Sequence, residues 1–392
     1  MKVNTHIGDS EISLDALFDE FLPDEKLRHG VVCSDMDQTM FKQDIGQLVF
    51  LEQLSDPGFW SNIPKHLFPH ILMPLRYRRI LERTASGTIL SEKVLDCRYA
   101  LYLEQKILDL QGHIRKLISR GKKLDLNHPV VNEFMGKMLA LDSVIMRLQP
   151  YLSTRISIEE LFMRTRFFAG WTKETVVKYT SRAMARDSDA THRRVTLRVH
   201  NKDELPKLGS NLEPRVIYRI KQDRLIEVVA GVREILARCF EKGAHIRIVT
   251  TNLSAIAEEA LRSSEYIFLD ANVAVLGSSL RRRQRKKSKP PYRYKTRFTA
   301  PPFFARRKAE IAQTVSGTQK RVFLMALGDS PSNDGPMGEV ALRNGGVFVM
   351  VGNEIEKTRR KFDPLFRKLY GEGEPEVGRR MVYVKNTDGL NH

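Results

Sequence analysis

Residues 31–40 read VVCSDMDQTM. The apolar run Val31-Val32-Cys33 is bounded by Gly30 and Ser34, the pattern of a short strand buried inside a parallel sheet. It ends on two carboxylates one residue apart, Asp35 and Asp37, followed by Thr39. Burying charge beside a strand is costly unless the charge is used or paired. In open α/β sheets, moreover, the carboxyl ends of the strands are where ligands bind.

Working outward, the same arrangement recurs. The stretch HIRIVTTN (245–252) is an apolar strand ending on Thr250, Thr251 and Asn252, and RVFLMALGDS (321–330) is another ending on Asp329. A further strand, GVFVMVGN, follows at 346–353. Between them, Leu225, Ile226, Val228, Val229, Val232, Ile235, Leu236, Cys239 and Phe240 fall at helical spacing, with Gly243 placed as a stop. Helical patterns also cover 253–263 and a segment starting near Ala305. From about 74 to 185 the chain is helical and charged, and a polar stretch at 185–211 predicts a loop or short hairpin. The βαβα order predicts a Rossmann-like, mostly parallel α/β sheet core interrupted by a large, mainly α-helical insertion. The expected division is a core of 1–50 and 217–392, an insertion of 51–216, and a basic, aromatic-containing loop at 281–304 within the core.

Each motif alone reads as ordinary. A calcium loop beginning at Asp35 fails, because Met40 and Gly46 stand where Gly and Glu are required. GDSPSND (328–334) is made of turn residues. In this order, each behind an apolar strand, they resemble the four motifs of the haloacid dehalogenase superfamily of phosphohydrolases: Asp35-Met36-Asp37-Gln38-Thr39, Thr250 after IRIV, Lys308 in RRKAEIAQTV, and Asp329 with Asp334. Two departures stand out, Gln38 where glycine is frequent and one extra residue in GDSPSND.

The resemblance implies a magnesium-dependent phosphatase. Asp35 would attack phosphorus and form an aspartyl-phosphate, splitting one hard hydrolysis into two easier steps. Asp37 would give a proton to the leaving oxygen and take one from water, which asks for a raised pKa. Mg²⁺ would be held by Asp35, the Asp37 backbone carbonyl and Asp329, with Asp334 in support. Thr250, with Thr251, Asn252 and nearby backbone N–H groups, would hold phosphate oxygens, and Lys308 would neutralise moving charge.

Between Asp35 and Thr250 lie 215 positions, against 58 between Thr250 and Lys308, so the insertion falls between the first and second motifs. By resemblance it is a cap that closes over the site, as in the phosphoserine phosphatase-like subgroup. DMDQTMFKQDIGQL is similar to that subgroup's first motif and places Asp44 as a possible substrate contact or, equally, as a helix-start carboxylate. An insertion this long leaves a small phosphometabolite, a phosphoprotein and a phosphorylated lipid headgroup all open as substrates.

The formal charge of +18 is local: Arg281 to Lys308 carries 13 Lys or Arg and no acid, leaving +5 for the rest. With Tyr292, Tyr294, Phe298, Phe303 and Phe304 interleaved, the segment suits nucleic-acid backbone and stacked bases, anionic lipid, steering of anionic substrates, or a solvated loop. A catalytically weak nucleic-acid or membrane-binding protein is therefore the alternative to the phosphatase, and a phosphotransferase is a variant of it. Three separated cysteines, Cys33, Cys97 and Cys239, suggest neither disulfides nor a zinc ribbon. His66 and His70, with Pro69 between, make a poor zinc helix. No apolar run reaches the roughly 18 residues of a membrane span, and the N-terminus is unlike a secretory signal, so a cytoplasmic location is expected. Trp60 and Trp171 read as packing residues.

Overall fold

The structure, a computed structural model, describes residues 5–7, 10–63, 68–88, 91–125, 128–152, 163–185, 197–200, 219–222, 226–264, 266, 272–282, 294–300, 306–318, 321–370 and 380–385. In chain order the strands are β1 (Thr5–Ile7), β2 (Ser10–Ile12), β3 (Gly30–Asp35), β4 (Leu197–His200), β5 (Arg219–Gln222), β6 (His245–Leu253), β7 (Val273–Arg282), β8 (Tyr294–Ala300), β9 (Val322–Gly328), β10 (Val347–Gly352) and β11 (Met381–Lys385). Nine of them form one sheet in the order β2-β1-β11-β10-β9-β3-β6-β7-β8, while β4 and β5 pair separately. The six strands from β11 to β7 run parallel, and β1 and β2 close one edge antiparallel. The chain is thus α/β with a Rossmann-like parallel sheet.

The chain divides into two compact units, one of Met1–Ile45, Ile226–Ser279 and Pro302–His392, the other of Gly46–Leu225 and Leu280–Pro301. In the first, all six residues of β3 are buried, as its apolar run requires of a strand with neighbours on both sides. Val31 and Cys33 pack with Phe323, Met337, Phe348 and Phe362 in one apolar cluster, where the Phe348 and Phe362 rings meet edge to face at 5.5 Å. Helices Arg306–Thr318 and Gly335–Arg343 pack on β9, and Ala230–Glu241 and Ser254–Ser263 pack on β6. The helix expected from Leu225 begins only at Ala230. Val228 is instead bridged to Phe41, and the Val229 N–H is bonded to the Met40 carbonyl at 2.9 Å. Gly243, at φ 82°, ends that helix as the sequence indicates.

In the second unit, two long helices, Glu92–Ser119 and Pro129–Leu152, pack together, and Leu75–Ala85 packs on the first of them. Trp60 is fully buried, donates to the Leu54 carbonyl at 2.9 Å and meets Phe134 edge to face, so it is packing. Trp171 stacks on Phe59 at 5.8 Å. Residues 280–301 group with this unit, whereas the sequence reading kept 281–304 in the core. Nor is that segment all loop. Residues 294–300 form β8, while 283–293 and 301–305, with Tyr292, Phe303 and Phe304, lie outside the described residues, as does His66. The three cysteines are buried free thiols. Among the described residues no helix is long and apolar enough to cross a membrane.

Candidate active site

Strands β9, β3 and β6 are neighbours, so their carboxyl ends place three separated sequence motifs side by side. Asp35 lies opposite Val249 of β6, and Ser34 opposite Leu327 of β9. Thr250 therefore follows Val249 directly, and Asp329 follows Leu327 after Gly328, on either side of the Asp35 strand end.

Lys308, third residue of its helix, points inward and is 0% exposed, whereas the Arg306 side chain is 90% exposed and pairs with Glu310. The Lys308 ammonium donates to Asp35 Oδ1 and Asp334 Oδ1, each at 2.6 Å. Asp334 is also fully buried, and its other oxygen accepts from the backbone N–H groups of Asp329 (3.1 Å) and Ser330 (3.0 Å). Although it precedes helix Gly335–Arg343, its side chain makes no cap bond there, because it is turned back to its own loop and to Lys308. Gly328 makes this possible. A Cβ there would sit 2.3 Å from the Asp334 Cβ, so any side chain would push Asp334 off the lysine.

Asp35, Asp329 and Asp334 each present a carboxylate oxygen within 4.8 Å of the others. Three hard oxygen donors this close suit a hard divalent cation. Without one, they crowd each other. Burial, then the neighbouring carboxylates Asp334, Asp329 and Asp37, hold Asp35 well above the usual range despite Lys308. Burial would deprotonate Lys308, but Asp334 and Asp35 outweigh it and keep the ammonium charged. Burial and then Asp334 push Asp329 up to about 6, against the pull of Lys361 and Lys308.

The Asp329 shift predicts a stability effect. A carboxylate whose folded pKa is raised binds its proton more tightly when folded, so its contribution falls as pH rises from near 4 through about 6. In EDTA, Asp329→Asn should therefore be more stable than the parent at pH 8 and lose that advantage near pH 4. Thermal melts of both proteins across this range check it; an Asn variant less stable at pH 8 would contradict it.

Asp37 is held from two sides. Its Oδ1 accepts the Ile45 N–H at 2.8 Å, at the start of helix Ile45–Ser55, and its Oδ2 accepts from the Asn252 side-chain amide at 2.7 Å. Both bonds fix the orientation of the carboxyl. The Asn252 amide is thus engaged with Asp37, a pairing that no motif or spacing signals. Thr250 is fully buried, and its hydroxyl oxygen accepts the Asn252 N–H at 3.1 Å, which leaves its hydrogen able to donate; Thr251 is half-buried. Asp44 is half-buried and immediately precedes helix Ile45–Ser55.

No family model matches the chain. No curated protein matches it either. Among solved structures, a conserved protein of unknown function from Anaerococcus prevotii DSM 20548 has TM-score 0.57 at 13% identity, over 94% of this chain and 91% of that one. Cytosolic 5′-nucleotidase IIIB bound to cytidine has TM-score 0.39 at 11% identity, over 99% and 90%. The first likeness is one of fold.

Gln38 has φ 60°, among the described residues the one non-glycine in the left-handed region. Gln38 thus holds, in this chain, a backbone conformation that favours glycine. Holding Gln there costs about 1–2 kcal/mol, partly offset by glycine's greater freedom when unfolded. Gln38→Gly should therefore stabilise the protein by roughly 0.5–1 kcal/mol in denaturant titrations. A loss of stability would show the exposed Gln38 side chain to be held by something worth more than the strain.

Proposed function

We propose that the protein is a Mg²⁺-dependent phosphohydrolase of the haloacid dehalogenase type, acting on a phosphomonoester through an aspartyl-phosphate on Asp35. The observation that carries this reading is the buried Lys308 ammonium between Asp35 and Asp334, beside the three-carboxylate cluster. Asp35, Asp329 and, by resemblance, the Asp37 backbone carbonyl would hold Mg²⁺, with Asp334 in support. When bound, the ion supplies positive charge that lets a carboxylate approach a phosphate dianion.

The chain's own residues do the rest. Asp35, at the end of a strand hydrogen-bonded on both sides, is fixed in direction, which favours a near-attack geometry. Its bond to phosphorus forms as the bond to the leaving oxygen breaks. Asp37 delivers a proton to that oxygen, then removes one from the water that attacks the phospho-Asp35. Asp37 enters the cycle as the acid, the proton it gives to the leaving oxygen is restored by the one it takes from water, and the Ile45 N–H and the Asn252 amide hold its carboxyl in place. The Thr250 hydroxyl and the start of helix Ser254–Ser263 hold phosphate oxygens, with Thr251 beside them. Lys308 follows the charge as it moves between Asp35 and phosphate. Asp44 acts as a helix-start carboxylate or contacts the substrate.

Phosphate release from p-nitrophenyl phosphate, with Mg²⁺ or with EDTA, tests the reading. Turnover only with the metal supports it. Absence of turnover with every divalent metal and several phosphomonoesters, in folded protein, would overturn it and leave nucleic-acid and anionic-lipid binding by the 281–308 stretch as the reading to test.

A further inference from the structure

Beside Asp329 opens a pocket of about 250 Å³ that the chemistry above does not use. Its wall carries three lysines, Lys42, Lys357 and Lys361, with the polar side chains of Gln38, Asn353 and Thr358. Against these stand Glu354, which pairs with Lys357 at 2.6 Å, Glu227, which pairs with Lys42 at 2.5 Å, and Asp329 of the acidic cluster. Gly352, Asn353 and Glu354 of the wall lead directly into the 16-residue helix Ile355–Tyr370. The positive end of that helix is therefore at the pocket. With Asp329 given to the metal of the proposed site, three lysines and a helix N-terminus stand against Glu354 and Glu227, and that excess of positive charge favours an anion.

The pocket is also joined to the reacting centre. Lys361 donates to the Asp329 carbonyl at 2.6 Å and lies 3.9 Å from Asp329 Oδ2, while Gln38 directly follows Asp37. At about 250 Å³ it is smaller than the roughly 300–1,000 Å³ that houses a whole drug-sized ligand, so it suits one group of a larger molecule. We infer that this pocket is a subsite for a second phosphate group, and that the preferred substrates are small bisphosphorylated molecules. This rests on the phosphohydrolase reading for which phosphate reacts and for the metal that takes up Asp329.

The test uses the full chain with Mg²⁺ at low salt, where exposed charges are least screened. Alkane-diyl bisphosphates with two to six methylenes are compared with the matching alkyl monophosphates, by phosphate release and by calorimetric binding. The ratio of kcat/KM, bisphosphate over monophosphate, should exceed one for at least one chain length. It should drop about tenfold or more in the Lys357→Met/Lys361→Met double variant and recover in Lys357→Arg/Lys361→Arg. A ratio near one in the parent, or one unchanged in the Met variant, overturns the inference while leaving the phosphohydrolase standing. If neither probe is hydrolysed, the p-nitrophenyl phosphate assay judges the phosphohydrolase reading, and binding decides the subsite alone: tighter bisphosphate binding that the Met variant abolishes sustains it, and equal binding of the two probes ends it.

Discussion

Asp35→Asn removes phosphate release, lowering kcat by roughly 10⁴- to 10⁶-fold, as loss of a covalent nucleophile does. The carboxamide cannot form the acyl-phosphate, and it no longer balances the Lys308 ammonium that donates to Asp35 Oδ1. One oxygen of the carboxylate cluster is lost with it. The fold should survive, because Asn is isosteric and its removed charge is one that burial already opposes. Inorganic phosphate, the product, should still bind, since the anion now meets one negative charge fewer. The decisive measurement is rapid acid quench with ³²P-labelled substrate. The parent accumulates acid-stable, base-labile protein-bound phosphate, and Asp35→Asn accumulates none. Full turnover in a folded Asp35→Asn protein would exclude Asp35 as nucleophile and with it the proposed covalent step.

How much of this was legible in the sequence depends on whether the signal is local. Strand β3 was readable because a short apolar run between Gly30 and Ser34 has few other uses, and Asp35 and Asp37 come with it. Strands β6, β9 and β10 were legible for the same reason. Strand β8 carried a signal that charge obscured: Tyr294, Thr296, Phe298 and Ala300 alternate with Lys295, Arg297 and Thr299 at the period of a strand. Strands β1 and β2, three residues each, are too short to show any period. Helical spacing extended the helix after residue 225 too far, because Val228 and Val229 are engaged with Phe41 and Met40, nearly 190 positions away. The pairing of Asn252 with Asp37 spans 215 positions, and no spacing rule reaches that far. The lysine-lined pocket was hidden likewise, since Lys42 meets Lys357 and Lys361 only once β3, β9 and β10 lie side by side.

Lys308→Met should cost both stability and turnover, and only the first loss should shrink as the pH falls. The parent places one fully buried ammonium against two buried carboxylates at 2.6 Å. Removing one partner of such a cluster leaves uncompensated charge inside the protein, which typically costs about 3–5 kcal/mol. Asp35, already raised by burial, rises further without the cation, so the variant takes up a proton on folding over a wider pH range. A raised carboxylate contributes least at high pH, so the variant should be nearest the parent at pH 5 and furthest below it at pH 8. Mg²⁺ should restore part of the deficit at pH 8, since a cation bound among Asp35, Asp329 and Asp334 replaces charge that the lysine supplied. Turnover should fall by about 10²–10³, the usual loss on removing one preorganised donor to a charged transition state, and lowering the pH should not recover it. Urea titrations at both pH values, with and without Mg²⁺, and steady-state rates on the same samples separate the effects. Lys308→Arg keeps the charge and should recover the stability more than the rate, because the guanidinium cannot occupy the space of a fully buried ammonium without displacing a carboxylate. If Lys308→Met matched the parent in stability at pH 8, the ammonium would not be what holds Asp35 and Asp334 together, and the electrostatic account of the site would fall with it.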